Sequence, residues 1–548
     1  MRKFNTLLTI LIIFCSLTAS AQWGYFSGSL QTNTNFFIRD PKIGAANLPH
    51  YDNLKVGTDV WFNVNYHNEK YEFEAGLRFD AFVNSILRTP VQPYTGVGIG
   101  NFYVKKKIKD ITITGGYMYD QIGSGIIFRA FEERPLGIDN ALVGGRVEYN
   151  IKDMVKLKAF SGVQKFQLGW HKALISGFNA EGNFNIKDKV FIQPGVGVVN
   201  RSMDRDNMDA VVSTIESYDT ADRFVPKFNN YAFTAYNTLT AGDFSWYVEG
   251  AFKTNEAIKD FYSKLVNKPG SVFYTTASYS RKGLGITLQF KRTQNFYQHI
   301  SPNAYPSLFD GFLSFIPPIS RQNSLRLPAR FQVPALEARE LAFGGEITYS
   351  PIKPLTLTFQ ASEIRDFIFE KPMVVDSGLD TKDFYRELFF AAQYRPNKKM
   401  EFEVGFQYTR YNMYIYRFER ETHVDAFTPF MEMSFKMSKK ASLRFEFQYQ
   451  HAAKEFGQWI YGLAEFSFAP HFSIAVSDMW NFAPNAENPI VTGRNSNHYY
   501  SVFAAYNVSA FRFTLNYVKQ VEGIVCTGGV CRFEPAFSGV RFAINGTF

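Results

Sequence analysis

Five ionisable side chains crowd into residues 123–140: Arg129, Glu132, Glu133, Arg134 and Asp139. Opposite charges at this density pair strongly where water is scarce and stay solvated where it is not. The stretch is therefore either a buried ion-pair network or an exposed loop. A second set, Arg321, Arg326 and Arg330, lies in residues 293–339 behind the run Phe312-Leu313-Ser314-Phe315-Ile316-Pro317-Pro318-Ile319. So long a break rich in apolar residues and proline needs a surface to pack on. The inside of a closed fold is the nearest candidate, and a solvated loop is the alternative.

Other chemistry is sparse. A serine hydrolase needs a nucleophile beside a base that a third group orients. The eight histidines are scattered, and Gly123-Ser124-Gly125 lacks the spacing of a nucleophile elbow. Asn497-His498 ahead of Ser501 is the nearest approach, and the chain is expected not to be an enzyme. Asp204, Asp206 and Asp209 offer hard oxygen donors, but their spacing lacks the glycine and terminal glutamate of a calcium loop. A solvated acidic loop is the expectation there, with no metal site and no cofactor. Of three cysteines, Cys15 lies in the apolar N-terminal run, while Cys526 and Cys531 bracket Thr527-Gly528-Gly529-Val530. In an oxidising compartment this reads as a small disulfide-closed loop. No other Cys or His lies nearby to make a metal site of the pair.

The elements that must carry these residues are strands. In Tyr71-Glu72-Phe73-Glu74-Ala75-Gly76-Leu77-Arg78-Phe79-Asp80-Ala81 the odd positions are apolar and the even ones carry charge or glycine. Successive strand side chains point to opposite faces, so such a segment has one apolar and one polar wall. The pattern recurs in Leu355-Leu357-Phe359-Ala361, Met400-Phe402-Val404-Phe406-Tyr408 and Ala441-Leu443-Phe445-Phe447-Tyr449. Leu77 and Phe445 are expected to face lipid, Glu74 and Gln448 the lumen. Tight turns are expected near Asn68, Lys107, Lys152, Asp188, Gly242, Lys282, Lys353, Asn397, Lys439, Pro470 and Ser509. They imply an all-β fold: an antiparallel transmembrane β-barrel of about 24 strands, within about 22 to 26. Short turns would be periplasmic and long loops extracellular, some of them folded into the lumen. A cylinder of this girth is wide enough to need a filling.

Composition agrees. Aromatics reach 17%, with 57 Phe and 31 Tyr, while 20% of residues are charged and mean hydropathy is −0.19. Helical membrane spans would demand apolar runs of about 20 residues. The net charge of +9 is dispersed over the turns, which suits anionic headgroups; without a basic helix or motif, nucleic acid is excluded as a partner.

Arg2 and Lys3, the apolar residues 7–18 and Ala19-Ser20-Ala21 read as a signal peptide over 1–21, leaving 22–548 as a single barrel domain of the Gram-negative outer membrane. The alternating terminal strand ending on Phe548 is the kind of signal that barrel assembly machinery would read. Outer-membrane lipid and lipopolysaccharide are the other expected partners.

Residues 123–140, together with residues 313–327 containing Pro317, Arg321 and Gln322, resemble an uncharacterised family of Bacteroidota outer-membrane β-barrels labelled as a domain of unknown function. The resemblance runs from about Trp23 to Phe548 and implies a porin-like barrel, with no substrate or catalytic residue to carry over. The expected function is a loop-occluded channel for small solutes or ligands. The alternative is a non-transporting scaffold or subunit of an outer-membrane secretion, assembly or surface complex.

Overall fold

The computed structural model describes residues 24–89, 91–186, 189–303, 311–367, 382–419, 423–485, 497–527 and 530–548. Residues 1–21, read as a signal peptide, lie outside them. Among the described residues, 24 antiparallel strands form one sheet that closes on itself. The sheet contains 25 segments, but Phe184–Ile186 prolongs Gly169–Gly182 after a break at Asn183, and both pair with Val190–Ser202, so the two make one wall strand. The first strand, Tyr25–Phe37, pairs with the last, Phe537–Thr547, from Ser29 opposite Thr547 to Phe37 opposite Gly539. Phe548 and Gly28 finish the seam by exchanging two backbone hydrogen bonds, at 2.8 and 3.0 Å.

The pleat produces the two walls. Along Phe73–Ser85, Leu77 and Phe79 are 36% and 46% exposed on the outside, while Arg78 and Asp80 are buried inside. Phe445 and Phe447 repeat the outward pattern on Ala441–Ala452, with Gln448 buried inside. Outward Phe, Leu, Ile and Val can satisfy no polar solvent, and the closed ladder satisfies the backbone, which is the condition for a sheet to cross hydrocarbon.

Ten of the eleven expected turns join paired neighbours along one rim; the eleventh, near Asp188, falls at residues outside the described set. The opposite rim carries the long connections, among them 38–55, 119–141, 203–228 and 295–338. One connection there is tight: Gln167 and Leu168 alone join two wall strands, with Gln167 in the left-handed region at φ 55°.

The expected acidic loop at Asp204 is instead a helix, Arg205–Glu216. Asp204 caps it, accepting the Asn207 N–H at 3.1 Å, and Asp206 pairs with Lys172 at 2.5 Å. Met208, Val211 and Ile215 recur on one face and pack with Met203, Ala257 and Leu265. That i, i+3, i+7 spacing behind a capping Asp is a readable helix signature; the three aspartates draw attention to ligand chemistry instead. Cys526 and Cys531 sit directly opposite in a small hairpin of Gly523–Thr527 and Val530–Glu534; their side chains lie outside the described residues.

Candidate functional site

Two long connections turn into the cylinder and pack on its inner wall and on each other. The first, residues 119–141, folds into two small ladders, Asp120–Ile122 with Phe128–Ala130 and Glu132–Glu133 with Ile138–Asp139. Ile122, Ile126, Ile127 and Phe128 are buried in one apolar cluster with Phe160, Ile175 and Val199 of the wall, and the Phe128 and Phe160 rings stack at 4.7 Å. Gly197 makes room for this: a Cβ there would stand 2.4 Å from Ile122 Cγ2. Ser124, at the tip, donates its N–H and hydroxyl to Glu249 at 2.9 and 2.5 Å.

The charged end of this segment is tied to the wall. Arg78 is buried and reaches Asp80, Glu132 and Asp139, each at 2.7 Å. Asp139 also accepts from Lys165 at 2.5 Å and from the Tyr119 hydroxyl at 2.9 Å. Arg134 bonds Glu132 at 3.0 Å and Gln31 at 2.9 Å, with its guanidinium over the Trp61 ring. Burial alone would raise the Asp139 carboxyl; Lys165 and Arg78 outweigh it and hold the group below the usual carboxylate range. Glu133 pairs through its backbone with Ile138 and joins no salt bridge among the described residues.

Residues 311–338 of the second segment cross from the first to the far wall. Arg129 donates its backbone N–H to Leu313 at 2.7 Å, and Phe315 donates to Gly125 at 2.9 Å. The Arg129 guanidinium lies over Phe131 and Phe315. Four wall strands then hold the crossing. Gln164 of Val155–Phe166 donates to Phe312 O at 2.9 Å, and Lys291 of Leu284–Gln294 to Pro317 O at 2.5 Å. Glu387 of Asp383–Asn397 accepts the Arg321 N–H at 2.6 Å, and Gln448 of Ala441–Ala452 accepts the Leu327 N–H at 2.9 Å. Arg321 stacks on Phe389 at 3.6 Å. Gly344 repeats the device of Gly197: its Cβ would stand 2.5 Å from Ile319 Cγ2.

Arg330 reaches Glu455 at 2.6 Å, and Arg417 meets the same carboxylate at 3.0 Å. Burial would raise Glu455, but Arg330 and Arg417 together bring it below its ordinary value. Arg326 stands beside Val521 and Gly523 and joins no salt bridge among the described residues.

Energetically the two kinds of contact do different jobs. Each fully buried isoleucine contributes roughly 1.5–3 kcal/mol, whereas a buried ion pair about breaks even against its desolvation. Apolar burial therefore holds the segments in, and the ion pairs fix where they sit. The acidic and basic partners, Arg78, Asp80, Lys165 and Glu387 on the wall and Glu455 in a rim connection, were not singled out from sequence. Leu77-Arg78-Phe79-Asp80 did carry a signal: opposite charges at i, i+2 fall on one face of a strand.

A closed cylinder with an apolar skin and loops tied across its interior defines a transmembrane β-barrel with an occupied lumen. The chain belongs to the family of unknown function DUF6029, whose match covers residues 1–548. A comparison with curated proteins finds no match. Among solved structures, the P pilus usher (PapC) translocation pore is similar at 9% identity and TM-score 0.45, over 95% of this chain and 99% of that one. The siderophore receptor PirA from Pseudomonas aeruginosa is similar at 8% identity and TM-score 0.44, over 96% and 80%. OpdK with vanillate, from the same organism, follows at 9% identity and TM-score 0.35, over 82% and 98%. These similarities concern barrel architecture and carry no activity to this chain.

Proposed function

We propose that this protein is a porin-like channel of the outer membrane, closed at rest by its two inward segments and passing small solutes when they yield. The observation that carries this reading is the crossing of residues 311–338, held by side chains of four wall strands. A segment held mainly by local packing and a few ion pairs can be displaced without opening the wall ladder, because none of those bonds belongs to the sheet. The reading includes export by residues 1–21, the Bacteroidota affiliation suggested by the loop motifs, and recognition of the strand ending at Phe548 by barrel assembly machinery. It also includes lipopolysaccharide and lipid as surroundings, and a Cys526–Cys531 disulfide, supported by the direct opposition of the two backbones and checked by thiol titration of the unfolded protein.

A non-enzymatic role is part of the same reading. His498 bonds Asp478 at 2.6 Å and stacks on Trp480 at 5.2 Å, the surroundings of a polar pair among outward aromatics. Planar-bilayer recording tests the channel: native protein is expected to be mostly silent, and protein with 297–336 replaced by a short linker to give large, steady openings. Silence from both forms would favour the scaffold reading.

A further inference from the structure

Where the crossing segment passes the loop-side end of the strand Phe511–Gln520, it leaves a cavity of about 110 Å³. One side is apolar, formed by Ala329, Met479 and Val521; the other carries Asn323, Arg326 and Arg330. Both side-chain polar atoms of Asn323 are buried without a hydrogen-bond partner, as are Nε and Nη1 of Arg330. Arg330 spends only its other guanidinium nitrogen on Glu455. Arg326 is exposed and joins no salt bridge among the described residues. Three of these four orphaned atoms are donors, and a buried donor without a partner is costly, so this wall is short of acceptor oxygens.

We propose that the cavity is a recognition site for the carboxylate of a small organic monoacid entering from the loop side. A guanidinium presents a planar fork that matches a carboxylate, and the Asn323 amide adds an N–H to the same group. Ala329, Met479 and Val521 receive a short carbon body. The volume admits several water-sized groups, which sets the scale at a few heavy atoms. Glu522 lines the same cavity, and a carboxylate there disfavours a second negative charge on the ligand, as in succinate or dianionic phosphate. This inference deepens the channel reading and rests on it for the direction of entry, but the binding itself does not require conduction.

Isothermal titration of the full-length barrel in detergent with butyrate, and with butyramide as its neutral isostere, tests the site. Saturable butyrate binding is expected, at least about tenfold tighter than butyramide, succinate or phosphate. Arg326→Gln and Asn323→Ala should each weaken butyrate by about tenfold or more while the barrel keeps its heat-modifiable gel mobility. Equal binding of acid and amide by the native protein overturns the proposal, and that comparison needs no variant to fold. Undiminished butyrate binding by folded Arg326→Gln overturns it as well. Butyrate binding with electrical silence of the native and loop-replaced forms would sink the channel reading alone. Openings after loop replacement, with no butyrate binding by the native protein, would sink this site alone.

Discussion

Arg330 and Arg417 share the carboxylate of Glu455, at 2.6 and 3.0 Å, and Arg417 also donates to the Arg330 carbonyl at 3.1 Å. The crossing segment is thus fastened to two separate connections of the loop rim through one acidic side chain. Glu455 is 2% exposed, so its removal deprives Arg330 and Arg417 of the buried carboxylate they share.

Glu455→Gln should therefore destabilise the closed arrangement by about 3–5 kcal/mol. Thermal unfolding in detergent should show the loss, and planar bilayers should show openings that the native protein lacks. An unchanged melting temperature and continued silence would mean that the triad does not secure the segment.

Acid should loosen the same fastening. Glu455 and Asp139 both have folded-state values depressed by their cationic neighbours. Their contribution is complete above the ordinary carboxylate value of about 4 and disappears as pH falls through the lower folded values. Open probability should be flat from neutral pH down to about 5 and rise only below about 4. Activation near pH 6 would point to histidine instead.

The wall glycines give a steric test. Gly344→Val drives a side chain into Ile319, and Gly197→Val into Ile122. Each should cost about 1–3 kcal/mol by overpacking. Ile319→Ala in the Gly344→Val background should restore part of the loss, read as the melting temperature of the double variant.

Face assignment is testable at the lipid boundary. Leu77→Arg and Phe445→Arg should each impair insertion by roughly 2–4 kcal/mol near the midplane, whereas Glu74→Arg should insert normally. Folding yields in bilayers measure the difference. Gln448 is lumenal as expected from its register, but it is not a neutral control. It is fully buried and accepts the Leu327 N–H, so Gln448→Arg should leave insertion intact while disturbing the crossing segment.

Wall strands and rim turns were legible because a period of two, broken by short polar turns, is a local signal. Leu77, Phe79, Phe445 and Phe447 all face outward as the alternation requires. The lumenal arrangement was half legible. The charge density of 123–140 and the prolines of 313–334 marked both segments, yet their partners on the wall and rim are distant in sequence. Arg78 and Glu132 are 54 positions apart, and Arg330 and Glu455 are 125. A charged residue on the polar face of a strand looks the same in sequence whether it meets water or a folded-in loop. Only closure of the cylinder decides which.

The seam from Ser29–Thr547 to Phe37–Gly539 also bears on how other molecules could attach. Joining the ends of the sheet removes the free ladder edges that would template an added strand. A peptide therefore cannot bind by β-augmentation along the described wall unless the seam first opens. Attachment must use side chains on the outer skin, the rim connections, or the interior.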